Sequence, residues 1–194
     1  MIKVIRKKGD VDIKNLKLFN KHLSNFSVTV GVHKEEGQKT NFWTGTKVID
    51  YACYNEFGHE GKPPERSFVR RVTKDKDVLD DIKKTGLNEF KKISRWHYKD
   101  KGGELTKKLY SKIGTVVLKQ MQYYFDDSKN IFLENAESTI KRKHTDYPLI
   151  DTGLLASSIK AKIRGKNGGV VKIVKSASTE NFKPRSLQAR EAQS

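Results

Sequence analysis

Apolar and polar residues alternate along this chain with two distinct periods. Between Asp12 and Asn25, Ile13, Leu16, Phe19 and Leu23 recur at near-helical spacing. Asp12 stands where it can cap the first turn, so this stretch predicts a short amphipathic helix. The period then drops to two: Phe26, Val28, Val30 and Val32 alternate with small or polar neighbours up to His33, the pattern of a strand with one buried face. Lys34 to Lys47 is mostly polar, with Gly37 and Gly45, and reads as an exposed loop suited to carrying contacts. Helical spacing returns from Val48 to Phe57 (Ile49, Ala52, Cys53, Phe57), and Gly58 falls where a helix ends on a residue of positive φ.

Pro63-Pro64 disfavours helix just before it. Arg66 to Trp96 then predicts a further helical run through Phe68, Val72, Val78, Leu79, Ile82, Phe90 and Ile93, weakened in its middle by Gly86. Lys99 to Gly103 reads as a turn. The strongest helical pattern spans Glu104 to Phe132, where Leu105, Leu109, Ile113, Val116, Val117, Met121, Tyr124 and Phe125 form one broad face. Its twenty-nine residues would extend roughly 43 Å, and Tyr110, Leu118 and Tyr123 off the main stripe imply contacts on more than one side. A brief helix follows Asn135.

From Ser157 to Arg164 the period is again two, with Ile159, Ala161 and Ile163 set against Ser158, Lys160, Lys162 and Arg164. Gly165 to Gly169 leads into Val170–Lys175, a hairpin signal. Together these elements predict an α+β fold, a small antiparallel sheet packed against a long amphipathic helix and shorter helices. Residues 1–175 are expected to form a single domain. Beyond Ser176 apolar residues nearly vanish, so Ser176–Ser194 is expected to be a polar, basic tail, disordered or ordered only on a partner.

Composition adds a large charge to this outline. Forty Lys and Arg against twenty-three Asp and Glu give a net charge of +17, and only 35% of the 194 residues are hydrophobic. A small core beneath a broad wet surface follows. Excess positive charge attracts nucleic acid and other anionic surfaces. Here, however, the basic residues are scattered as doublets and triplets such as Arg6-Lys7-Lys8, Lys83-Lys84 and Lys141-Arg142-Lys143, a distribution that fits solvated helix faces. Cys53 is the single cysteine, so it forms no intrachain disulfide, and its apolar neighbours suggest a buried thiol. No run approaches the ~18 apolar residues of a membrane helix, and Met1-Ile2-Lys3 opens no signal peptide. A cytosol-like compartment is expected.

The string with the most chemical content is Leu149-Ile150-Asp151-Thr152-Gly153, because two apolar residues before Asp-Thr-Gly mark aspartic proteases. Leu154 stands where that loop uses a small residue, a long helix precedes the motif, and the forty-one residues that follow Gly153 hold no second element to support it. The simpler reading is a turn over Gly153–Ala156, N-capped by Asp151 or Thr152 and leading into a strand. Histidines 22, 33, 59, 97 and 144 are isolated, and no phosphate-binding glycine loop, serine elbow or zinc-finger spacing occurs. No catalytic residue, metal or cofactor is expected, and the protein reads as a non-enzyme.

Four motifs in order remain: Val30-Gly31-Val32, Glu56-Phe57-Gly58, Pro64-Glu65-Arg66-Ser67-Phe68, and Leu149 through Ile159. This order resembles the tail-completion and neck proteins of tailed bacteriophages, a family that includes virion morphogenesis and minor tail proteins. In that family a strand ending in Val-Gly-Val precedes a helix bearing Glu-Phe-Gly. A Pro-x-Arg-x-Phe turn and a long helix follow, then a Leu-Ile-Asp-Thr-Gly-x-Leu turn into a Ser-Ile strand. The resemblance covers Ser27 to Lys175; Lys83–Gly103 is longer than its pattern and Ser176–Ser194 has no counterpart.

The resemblance implies a structural virion protein of the head–tail junction, assembled in the host cytoplasm into a homo-oligomeric ring, hexameric to match the tail. Its partners would be other connector, neck or tail proteins, with nonspecific contact to DNA in the lumen and no membrane. It marks Glu56, Phe57, Gly58, Pro64, Arg66, Phe68, Asp151, Thr152, Gly153 and Leu155 as structural motif residues. Contacts are expected from the Lys34–Lys47 loop (Lys39, Phe42, Trp43), the wide helix face and the tail (Lys183, Arg185, Arg190). Two other readings stay open. One is a nucleic-acid-binding protein, suggested by +17 and by Arg95-Trp96-His97-Tyr98-Lys99; the more remote is a protease acting through Asp151.

Overall fold

The computed structural model describes residues 17, 20–42, 44–60, 64–94, 102–143 and 146–174. The architecture is α+β. Strands β1 (Phe26–Val32), β2 (Ile159–Gly165) and β3 (Val170–Val174) form an antiparallel sheet in the order β1-β2-β3. Between β1 and the return to the sheet at β2, the described residues form eight helices. These are α1 (Lys34–Gly37), α2 (Val48–Phe57), α3 (Phe68–Lys74), α4 (Lys76–Ser94), α5 (Gly102–Asp126), α6 (Ser128–Ile131), α7 (Glu137–Lys143) and α8 (Leu154–Ser158).

Register follows from the two-residue period. Val28 lies opposite Ile163 and Val30 opposite Ala161, so the apolar residues of both strands share one face, and α5 packs on that face. Ala161 and Ile163 are fully buried there. The approach is close at Gly114 of α5, where an added Cβ would lie 2.9 Å from Cβ of Ala161 and 3.3 Å from Cγ2 of Val28. Phe68 and Phe125, with ring centroids 5.3 Å apart and edge to face, centre the remaining core with Leu118, Met121, Leu149 and Leu155.

The opposite face of β2 carries lysines, and part of the Lys34–Lys47 stretch is built to receive them. It is not all exposed loop: it opens with α1, whose Glu36 and Gly37 are buried. Glu36 accepts from Lys160 Nζ at 2.6 Å and lies 3.3 Å from Lys162 Nζ, and Lys162 also pairs with Glu35. Burial alone would raise the pKa of Glu36, but the two ammonium groups overcome it and hold the carboxyl at about 2. Lys160 and Lys162 of β2 are therefore paired and largely covered.

Over its described residues, 66–94, the run expected from Arg66 to Trp96 is two helices with an extended lead-in, and the break is at Asp75, not at Gly86. Asp75 leaves helical geometry, accepts N–H bonds from Asp77 and Val78, and receives the Tyr124 hydroxyl at 2.8 Å. One carboxylate thus caps α4 and ties it to α5. The long helix is likewise shorter than Glu104–Phe132. It begins at Gly102 and ends at Asp126, about 37 Å of helix. Asp127, which accepts from the Tyr123 hydroxyl and Asn130 Nδ2, starts the separate turn α6.

On α2 the buried residues are Val48, Ala52, Asn55 and Glu56, whereas Cys53 is exposed and Phe57 is 64% exposed. The expected apolar stripe through Cys53 and Phe57 is corrected accordingly. Of the helix expected over Asp12–Asn25, residues 20–23 are helical and most of the rest lies outside the described residues, as does Ser176–Ser194.

Candidate functional site

The motif residues meet where the end of α2, the segment 64–68 and the turns around residues 133–135 and 148–153 come together. Gly58 ends α2 at φ 69°, and a Cβ on it would sit 3.1 Å from the backbone N of Glu65. That closeness lets the chain double back, so that the Arg66 N–H reaches the Asn55 carbonyl at 2.6 Å. The Glu56 carboxylate then meets the first turn of α3. It accepts from the N–H groups of Val69 and Arg70, both at 2.9 Å, and from Arg70 Nε at 3.0 Å. Ser67, the residue in the N-cap position, makes no side-chain cap bond. The orphan donors of α3 are satisfied instead by a carboxylate from another helix, whose charge also suits the positive helix end. Phe57 points its ring outward beneath Arg70, with the guanidinium 4.8 Å from the ring centroid.

Arg66 is 2% exposed, and each of its three guanidinium nitrogens donates to a backbone carbonyl. Nε donates to Leu133 at 3.1 Å, Nη2 to Glu134 at 3.0 Å and Nη1 to Pro148 at 3.4 Å. The guanidinium fork at this motif position takes backbone carbonyls as its partners. It binds the segment after α2 to the two turns that flank α7. Phe68, 1% exposed, seats the next helix in the core.

Asp151-Thr152-Gly153 forms a bend into α8. Gly153, at φ 73°, takes the N-cap position expected of Asp151 or Thr152, and the Thr152 hydroxyl accepts the Leu154 N–H only at 3.4 Å. Leu155 is 4% exposed and anchors the turn in the core.

Beside this junction lies a cleft of about 530 Å³, with Tyr51, Arg66, Asn135, Arg142, Lys143 and Asp151 in its lining and exposed Pro64 at its edge. Lys143 is 4% exposed, which corrects its reading as part of a solvated basic triplet, and its Nζ donates to the Tyr147 carbonyl at 3.0 Å. Burial lowers its pKa to about 8, opposed by Asp151 and reinforced by Arg66 and Arg142. Burial likewise pushes the Tyr51 hydroxyl up to about 12, with Asp151 adding to the effect. Asn135 is 8% exposed, and its Nδ2 finds no acceptor among the described residues. Pattern reading missed Asn55, Asn135 and Lys143 as buried groups, because polar residues on short elements carry no periodic signal.

Of the expected contact residues, Lys39 and Phe42 are exposed, Phe42 by 88%. Trp43, Lys183, Arg185 and Arg190 lie outside the described residues, as do Arg95–Lys99. Among the described residues no group of His, Cys, Asp and Glu could hold a metal ion, and no helix is long and apolar enough to cross a membrane. No family model matches the chain, and comparison with curated proteins and with solved structures likewise yields no match.

Proposed function

We propose that this chain is a structural subunit of the head–tail junction of a tailed bacteriophage, assembling into a ring, six-membered by analogy, that joins tail to connector. One observation carries the reading. Most of the sequence that prompted the resemblance forms a single bonded unit: Glu56 caps the helix that begins at Phe68, and Arg66 binds Pro148 at the head of the Leu149–Ile159 segment. The Val30-Gly31-Val32 strand end pairs with Ala161, Lys160 and Ile159, where that segment runs into β2. Motifs that are weak one by one are thus parts of one structural device, and their order along the chain has a physical reason.

Two surface features suit assembly. β3 lies at an edge of the sheet and leaves Val170, Val171 and Ile173 between 42% and 48% exposed, a strand edge of the kind that proteins cover or pair. Phe42 stands almost fully exposed beside Lys39 in the Lys34–Lys47 stretch. The test is direct. Sedimentation and negative-stain imaging of the full chain should reveal closed rings, and mass spectrometry of tailed particles should find the chain in them. A monomer at every concentration, together with absence from the particles, would overturn the proposal.

A further inference from the structure

We propose that the tip of the β2–β3 hairpin is a site of self-modification, where the backbone nitrogen of Gly168 displaces the side-chain amide of Asn167 and leaves aspartate and isoaspartate in its place. The inference rests on the hairpin alone and stands apart from the ring assignment. Asn167 is the one asparagine of the chain that is followed by glycine, so no side chain hinders the attacking nitrogen. Both residues are exposed, and nothing lies within 4 Å of the place a Cβ on Gly168 would take. Two backbone bonds hold the tip, from the Gly168 N–H to the Gly165 carbonyl and from the Gly165 N–H to the Gly169 carbonyl, each at 2.9 Å. The first must open to free the nucleophile. It sits at an exposed turn rich in glycine (165, 168 and 169), where local opening costs least.

The steps balance with water alone. The Gly168 nitrogen gives its proton to solvent base and bonds to Asn167 Cγ; the Cγ–Nδ2 bond breaks, and the amide takes up a proton and leaves as ammonia. Water then opens the five-membered imide. Addition at Cγ releases the Gly168 nitrogen from the side chain and gives aspartate. Addition at the backbone carbonyl of residue 167 breaks its bond to that nitrogen and gives isoaspartate, with the chain running through Cγ. Charge favours the first step. Arg164 Nη1 donates to the Gly168 carbonyl at 3.0 Å and exposed Lys166 stands beside it, two cations that stabilise negative charge growing on the amide nitrogen. Isoaspartate adds a backbone carbon between the two closing bonds, which then cannot both keep their geometry. The strain falls on β3, which pairs with β2 from Val170 opposite Arg164 across an irregular register.

The experiment ages the full, folded chain in neutral and in mildly alkaline buffer, with a parallel sample in urea. Peptide mapping by mass spectrometry locates each amide-to-acid change, and enzymatic methylation of isoaspartyl carboxylates identifies the rearranged product. Asn167 should convert in the folded chain, faster at the higher pH, to a mixture of both products, while exposed Asn88 and Asn130 persist. Gly168→Ala puts a Cβ beside the nucleophile and should slow the change on the order of tenfold, a rise of about 1.4 kcal/mol in the barrier. Alanine is strained at the Gly168 φ of 74°, so Gly169→Ala serves as the second variant. It keeps the Asn-Gly pair and should convert at the parental rate. Conversion in urea alone would show that the Gly168–Gly165 bond protects the site. That result, conversion of Gly168→Ala as fast as the parent, or aspartate without isoaspartate would each overturn the proposal.

Discussion

Arg66 offers a stringent test of how the motif residues hold this fold together. Its guanidinium is buried yet has no carboxylate partner among its hydrogen bonds; its contacts are the carbonyls of Leu133, Glu134 and Pro148. Replacing it by Met keeps much of the length and removes every donor. The bonds at 3.0 and 3.1 Å are well formed and the one at 3.4 Å is marginal, so about two charge-assisted bonds are lost, each worth roughly 1.5–3 kcal/mol. Relief of the guanidinium's desolvation works in the opposite direction, and the carbonyls of exposed Leu133 and Glu134 can regain water. A net loss of about 3 kcal/mol follows, toward the lower end of the gross figure.

For a chain of this size that corresponds to a fall in Tm of roughly 6–12 °C. Arg66→Lys separates shape from charge. A lysine keeps the charge but cannot span three carbonyls, so it should lose about 2 kcal/mol. Urea unfolding followed by circular dichroism measures both, with Lys83→Met on an exposed helix face as control. The competing view is that Arg66 is one solubilising charge among many. If Arg66→Met stays within about 0.5 kcal/mol of the parent, the range of ordinary surface changes, that view wins and the stapling role is wrong.

Two further predictions concern the sheet. The folded pKa of Glu36 is held at about 2 against an ordinary 4.5, so its ion pairs contribute stability that is present above pH 4.5 and is lost as pH falls toward 2. Unfolding free energy measured across that window should fall more steeply for the parent than for Glu36→Gln; parallel slopes would remove Lys160 and Lys162 as the cause. At Gly114 the close approach to Ala161 should outweigh the gain in helix propensity, so Gly114→Ala should destabilise by about 1 kcal/mol. Gly86→Ala, with nothing within 4 Å, should stabilise by roughly 0.5–1 kcal/mol, and matching signs in chemical denaturation would refute the packing account.

The difference between what was legible in the sequence and what was not follows one physical line. β1, β2 and the long helix each bury one apolar face, so a period of two or of 3.6 survives in the residue order, and Val28, Val30, Ala161 and Ile163 sit where alternation predicts. Where polar groups are buried, that code inverts. Asn55, Glu56, Arg66 and Lys143 are covered while Phe57 and Cys53 of the same neighbourhood face out. A buried polar residue is tolerated only through its partners, and for Arg66 those lie 67 to 82 positions away. The same holds for Asp75, whose capping of α4 is coupled to Tyr124 forty-nine positions on. Local pattern therefore cannot mark such residues, but an ordered set of short motifs can, because each motif records one end of a long-range bond. Glu56-Phe57-Gly58 holds the acceptor for α3, Pro64–Phe68 holds the donor for Pro148, and Leu149–Ile159 holds the strand start that pairs with Val32. Their joint order carries structural information that none of them has alone. Breaking the Glu56 or the Arg66 contact should therefore weaken the junction around the cleft before it weakens the α5–sheet core.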